Sequence, residues 1–97
     1  MTLHPAQQFG DTLKTRFLGG QLHAQLESGL AGESSITVDF SGVKGLGHSF
    51  ADECFGVLFT EHGPELFRTR LHLAGMNENV KAVLRLVFTD RRHTARH

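Results

Sequence analysis

The chain has no tryptophan, no tyrosine, one cysteine, two prolines and no net charge. Each shortage excludes something. A lone Cys54 builds neither a disulfide framework nor a thiolate zinc site. Ten acids against ten bases exclude a generally basic nucleic-acid binder and an acidic disordered chain. No apolar run approaches the ~18 residues that span a bilayer. The start, Met1-Thr2-Leu3-His4-Pro5, lacks the basic flank and apolar stretch of a secretory signal. The expectation is a reducing, cytoplasmic setting with no membrane partner.

What is present suits one small α/β domain. The 97 residues include eight phenylalanines, and 39% of the chain is apolar. That is enough for a modest core without staples. The domain is expected over residues 1–90, with the polar stretch 91–97 as a disordered tail. Charge is unevenly spread. Residues 33–65 carry six acids (Glu33, Asp39, Asp52, Glu53, Glu61, Glu65) against Lys44. Residues 66–97 carry seven bases (Arg68, Arg70, Lys81, Arg85, Arg91, Arg92, Arg96) against Glu78 and Asp90. An acidic patch from Asp52, Glu53 and Glu61 is expected to steer a basic protein partner.

Periodicity organises the chain further. Phe17, Leu18, Leu22, Leu26 and Leu30 approximate one helical stripe. Gly19 and Gly20 weaken that helix and allow close packing on a sheet. Residues 35–40, SITVDF, alternate apolar and polar and predict a strand. Leu3 and Phe9 suggest only a weak edge strand, because Pro5 interrupts it. Gly42 to Gly47 reads as a flexible turn. A helix is expected from Ser49 to a stop at Gly63-Pro64, with Ser49 as N-cap and Asp52 completing a capping box. A short strand follows at 71–74. Asn77 or Asn79 caps a last helix with Val80, Val83, Leu84 and Val87 as its stripe. Strand–helix–strand alternation implies a small, mainly parallel sheet packed by about three helices.

The Gly42–Gly47 stretch lacks the Gly-Lys-Ser/Thr close of a phosphate loop. Cys54 falls on the apolar side of its helix and reads as a core thiol. Asp52 and Glu53 are adjacent, so they point about 100° apart on a helix rather than at one substrate. No catalytic residue, cofactor or metal site is therefore expected. His4, His23, His48, His62 and His72 are scattered, and His93 and His97 lack a third ligand. The tail arginines are too few for nucleic-acid binding. Arg16 is a plausible partner for one of the acids. Asp39 is expected to fix the following loop through its backbone N–H groups.

One segment carries more. Asp39-Phe40-Ser41-Gly42-Val43, a short loop, then Ser49-Phe50-Ala51-Asp52-Glu53 resembles the STAS-like family of bacterial regulatory domains, especially its small subgroup. Thr15-Arg16 also resembles that subgroup. The resemblance implies a small sheet packed by helices and a non-catalytic module related to anti-sigma-factor antagonists. It implies a partner such as a regulatory Ser/Thr kinase of the histidine-kinase-like ATPase fold. It also implies Ser49 as the phosphorylated position. A partner is expected to dock on the loop 41–48 and the exposed side of the helix 49–62, through Lys44, His48, Ser49, Asp52 and Glu53. Arg16, Asp39, Phe40, Gly42, Val43, Phe50 and Ala51 would then be structural. The antagonists' usual Asp-Ser-Ser-Gly or Asp-Ser-Thr-Gly is replaced here by His48-Ser49-Phe50-Ala51. A different reading is a structural or effector-sensing subunit that acts by homo-oligomerisation or by accepting a partner's strand.

Overall fold

The computed structural model describes residues 1–33 and 35–95, the side chains of 94 and 95 excepted. Its elements are β1 (Thr2–Leu3), α1 (Pro5–Phe9), β2 (Thr12–Leu13), α2 (Arg16–Gly32), β3 (Ile36–Asp39) and β4 (Gly45–Leu46). Then come α3 (His48–Ala51), a π turn (Asp52–Gly56), α4 (Val57–His62), α5 (Glu65–Thr69), β5 (Leu71–Ala74) and α6 (Glu78–Ala95). The class is α/β with small parallel sheets, as the alternation predicted.

The main sheet runs β1-β3-β5, all parallel. In β3, Ile36 and Val38 are buried while Thr37 and Asp39 are half-buried, the period-two signature of a strand with one face on the core. Ile36 pairs with Leu71, and Thr2 with Thr37. The edge strand β1 is therefore real, and Pro5 opens α1 immediately after it. A second two-stranded ladder, β2-β4, pairs Thr12 with Gly45 and Leu13 with Leu46. It corrects the reading of residues 42–47 as a flexible turn. Lys44 N–H donates to Asp11 O at 2.7 Å, and Gly47 N–H to Leu13 O at 2.6 Å. Asn79 Oδ1 accepts from Leu46 N–H at 3.2 Å, and Asn77 Nδ2 donates to the Val43 and Lys44 carbonyls. Backbone groups expected to face solvent are thus satisfied by neighbours. Only the turn Phe40–Val43 remains, closed by Val43 N–H on Phe40 O at 2.9 Å, with Gly42 at φ +87°.

Helix α2 begins at the Thr15 cap, whose hydroxyl accepts from Leu18 N–H at 3.1 Å. It buries Gly19, Leu22, Leu26 and Leu30. Phe17, placed on this stripe by the sequence reading, is instead 73% exposed. Position 17 lies in the first turn and five residues before Leu22, off the face that 19, 22, 26 and 30 define. Gly19 does permit close packing, but on a helix rather than a sheet. A Cβ there would sit 2.5 Å from Phe50 O and 3.0 Å from Phe50 Cα. At the other end of α2, Arg70 Nη2 donates to Leu30 O at 2.6 Å and Glu33 O at 2.9 Å.

Phe40 and Phe55 meet at the centre with ring centroids 5.8 Å apart. Phe59, Phe67 and Phe88 form a second aromatic cluster at the other end, with centroids 4.9 to 6.2 Å apart. Helix α6 starts at Asn77, whose Oδ1 accepts from Val80 N–H at 2.8 Å. It buries Val80, Leu84 and Val87 and continues through Arg91, Arg92 and His93. The expected disordered tail is therefore corrected over residues 91–95, which are helical. Arg96 and His97 lie outside the described residues.

Candidate functional site

The segment singled out by its sequence runs from the end of β4 into α3. Its first surprise is where the helix begins. Gly47 is the residue before the first helical position, with φ −80° and ψ 147°. Its carbonyl accepts from Ala51 N–H at 3.1 Å. The strand register at Leu13 ends the chain's extended run at Gly47, so the helix starts one residue before Ser49. Ser49 is thus not the N-cap, and no side-chain cap bond forms. It lies in the first turn, exposed to solvent, with His48 exposed beside it. Phe50 and Ala51 are fully buried, so the helix face that carries Ser49 is the outer one.

The helix then widens. Residues Asp52–Gly56 form a π turn, in which Val57 N–H reaches back to Asp52 O. This turn carries the main charged constellation of the region. Arg91 Nε donates to Asp52 Oδ1 at 2.8 Å, and Arg91 Nη2 to Asp52 Oδ2 at 3.0 Å. The contact is a two-point guanidinium–carboxylate pair, with side chains 23% and 18% exposed. Arg91 Nη1 also donates to Thr60 Oγ1 at 3.3 Å. From the opposite side, Arg16 Nη1 donates to Asp52 Oδ2 at 3.4 Å and to Glu53 Oε1 at 3.2 Å. Gly56 makes room for the pair: a Cβ there would be 2.8 Å from Asp52 Oδ1 and 3.0 Å from Arg91 Nε.

The electrostatics follow the geometry. Hydrogen bonds from Arg91 hold the Asp52 carboxyl below the usual carboxylate range, against the opposing effect of partial burial, with Arg16 adding to the shift. Arg91 and Arg16 are pushed up in turn by the carboxylates they contact. At the strand end, Asp39 Oδ1 accepts from Ser41 Oγ at 2.6 Å and Ser41 N–H at 2.9 Å, which lowers its carboxyl. Asp39 therefore does fix the loop, as expected. Cys54 is fully buried, and burial pushes its thiol well up, Glu53 adding to the shift.

The expected site residues fall into groups. Ser49, His48 and Lys44 are exposed around the start of α3. Lys44 Nζ lies 3.6 Å from Asp11 Oδ2 on the surface. His48 Nε2 lies 3.5 Å from Asp90 Oδ2. Asp52 and Glu53 are near them but engaged by guanidinium groups, which corrects the reading of a free acidic patch: its charge is largely compensated within the chain. Glu61 lies elsewhere, beside His23. Phe40 and Val43 are core residues. Arg91 was missed because it stands in a polar stretch. Its signal was its position, four residues after Val87 on the buried face of α6. A shallow concavity of about 240 Å³, lined by Thr12, Lys14, Gly45, Leu46, Gly47 and Asn79, opens beside the helix start.

Among the described residues, no helix is long and apolar enough to cross a membrane. No match is found among curated proteins or among solved structures. Residues 19–81, which span α2 to the start of α6, match a family described as a STAS-like domain of unknown function. The match covers the Gly19–Phe50 helix contact, the β3 strand, the Ser49 turn and the Asp52 π turn, and the chain belongs to this STAS-like family.

Proposed function

We propose that the chain is a non-catalytic regulatory module of a bacterial, cytoplasmic signalling system. It docks a partner protein through residues 41–48 and the outer side of α3, and phosphorylation of Ser49 toggles docking. The partner is a regulatory protein, in the first instance a Ser/Thr kinase of the histidine-kinase-like ATPase fold. One observation carries the reading. Ser49 is exposed in the first helical turn, while the neighbouring acids that would repel a phosphate are held by Arg16 and Arg91. A phosphate adds about −1.5 to −2 charges. Beside two unpaired carboxylates it would be opposed; beside compensated ones, and near the free N–H groups of the first turn, it is tolerated. The concavity next to Gly47 offers a partner a place to seat a side chain. The deep burial of Cys54 supports a non-catalytic role, since a thiol in that setting is a poor nucleophile.

The test is affinity capture from native lysate with the wild type, Ser49→Ala and Ser49→Asp, read by mass spectrometry. A regulator retained by the first two and lost with Ser49→Asp supports the switch. Equal capture by all three contradicts it. The open edges of the β1-β3-β5 sheet favour a second reading, association with another copy through β5. Light scattering after size exclusion decides it: a stable dimer at micromolar concentration supports strand addition, a monomer opposes it.

A further inference from the structure

Two histidines and two glutamates from two helices converge beside the packing of α2 on the π turn, where that turn runs on into α4. From α2 come His23 and Glu27, one helical turn apart. From α4 come Glu61 and His62. His23 Nε2 lies 3.2 Å from Glu61 Oε1 and 3.6 Å from Glu27 Oε1. Ligand atoms of His23, Glu27 and Glu61 all fall within 4.8 Å of one another. His62 Nε2 meets Glu27 Oε1 at 3.0 Å. The side chains are 23% to 52% exposed, so an ion can reach them from solvent.

We propose that His23, Glu27 and Glu61 form a binding site for a divalent transition-metal ion of the zinc class, with His62 positioning Glu27. The spacing suits it. A tetrahedral zinc with bonds of about 2.0–2.1 Å has ligand–ligand edges near 3.3–3.4 Å. The two His23 distances lie on either side of that edge. The chemistry suits it too. One imidazole and two carboxylates are borderline-to-hard donors matched to zinc. Two carboxylates neutralise the ion's charge. His62 beside Glu27 plays the part of the outer partner that orients a ligating carboxylate. The fourth coordination position is left to water or to a group from a partner. An ion here joins α2 to α4 through side chains that Ser49 does not contact, so the site does not depend on the phosphorylation reading.

Zinc chloride is titrated into the full chain against a chromophoric competing chelator, for the wild type, His23→Ala, Glu61→Gln and His93→Ala. Far-UV circular dichroism confirms that each variant is folded. The wild type is expected to take up a single saturable equivalent in the micromolar range. His23→Ala and Glu61→Gln each lose at least about tenfold in affinity, the scale on which metal sites respond to loss of a supporting group. His93→Ala, on α6, leaves the affinity unchanged. Absence of saturable uptake, a smaller loss in either site variant, or dependence on His93 overturns the proposal.

Discussion

Replacing Arg91 by Met removes the guanidinium while keeping an aliphatic stem of similar length. The Asp52 carboxylate then loses two charge-assisted hydrogen bonds, at 2.8 and 3.0 Å, and keeps only the longer 3.4 Å contact from Arg16. Solvent-exposed ion pairs are worth about 0.2–1 kcal/mol, whereas breaking a buried one costs about 3–5 kcal/mol. With side chains 18% and 23% exposed, this pair falls between, at about 2 kcal/mol. For a domain of this size that corresponds to a melting temperature lower by about 8–16 °C. Urea denaturation at neutral pH measures it directly, with the midpoint falling and the slope unchanged. The pH dependence supplies a second check. The Asp52 pKa is lowered in the fold, so its contribution is fully present above the unfolded value of about 3.9. It is lost as pH falls through the lower folded value. The gap between wild type and Arg91→Met is therefore constant from pH 7 to 5 and narrows in strong acid. A decrease in melting temperature of less than about 3 °C at pH 7 refutes the reading of this pair as a half-buried, stabilising ion pair.

Two further outcomes follow from packing. Gly19→Ala forces α2 away from the Phe50 backbone, whose oxygen would lie 2.5 Å from the new Cβ. Thermal denaturation should show a loss of about 3 kcal/mol, against the small gain that Ala normally brings inside a helix. Cys54, at no exposure, should resist an aromatic disulfide reagent in the native state and react at the protein's opening rate, rising to the free-thiol rate in denaturant.

The parts of this fold that were legible in the sequence are those long enough to show a period. β3 and β5 are four residues each, and the spacing 22, 26, 30 of α2 and 80, 84, 87 of α6 sets their buried faces. Strands of two residues show no alternation, so β4 was read as a turn and β2 gave no signal, although they determine where α3 begins. That register is why Gly47, not Ser49, precedes the helix. Glycines carry no hydropathy signal. Gly56 was therefore invisible as the place where a methyl would block an ion pair, and Gly19 was read as a close-packing position without its true neighbour, the Phe50 backbone. At the site, the Arg16 partnership with the acids was anticipated and found. The dominant partner of Asp52 was not, because Arg91 is 39 residues away and sits among polar neighbours. His23 and His62 looked scattered for the same reason, since only the packing of α2 on the π turn that leads into α4 brings them together.

The most direct test of the regulatory account is the affinity of a captured partner for the wild type and for Ser49→Asp, measured side by side by calorimetry. The account predicts a loss of about tenfold or more, or 1.4 kcal/mol, for Ser49→Asp, with Ser49→Ala close to wild type. Equal affinities for all three proteins would contradict it and would leave Ser49 an ordinary first-turn residue.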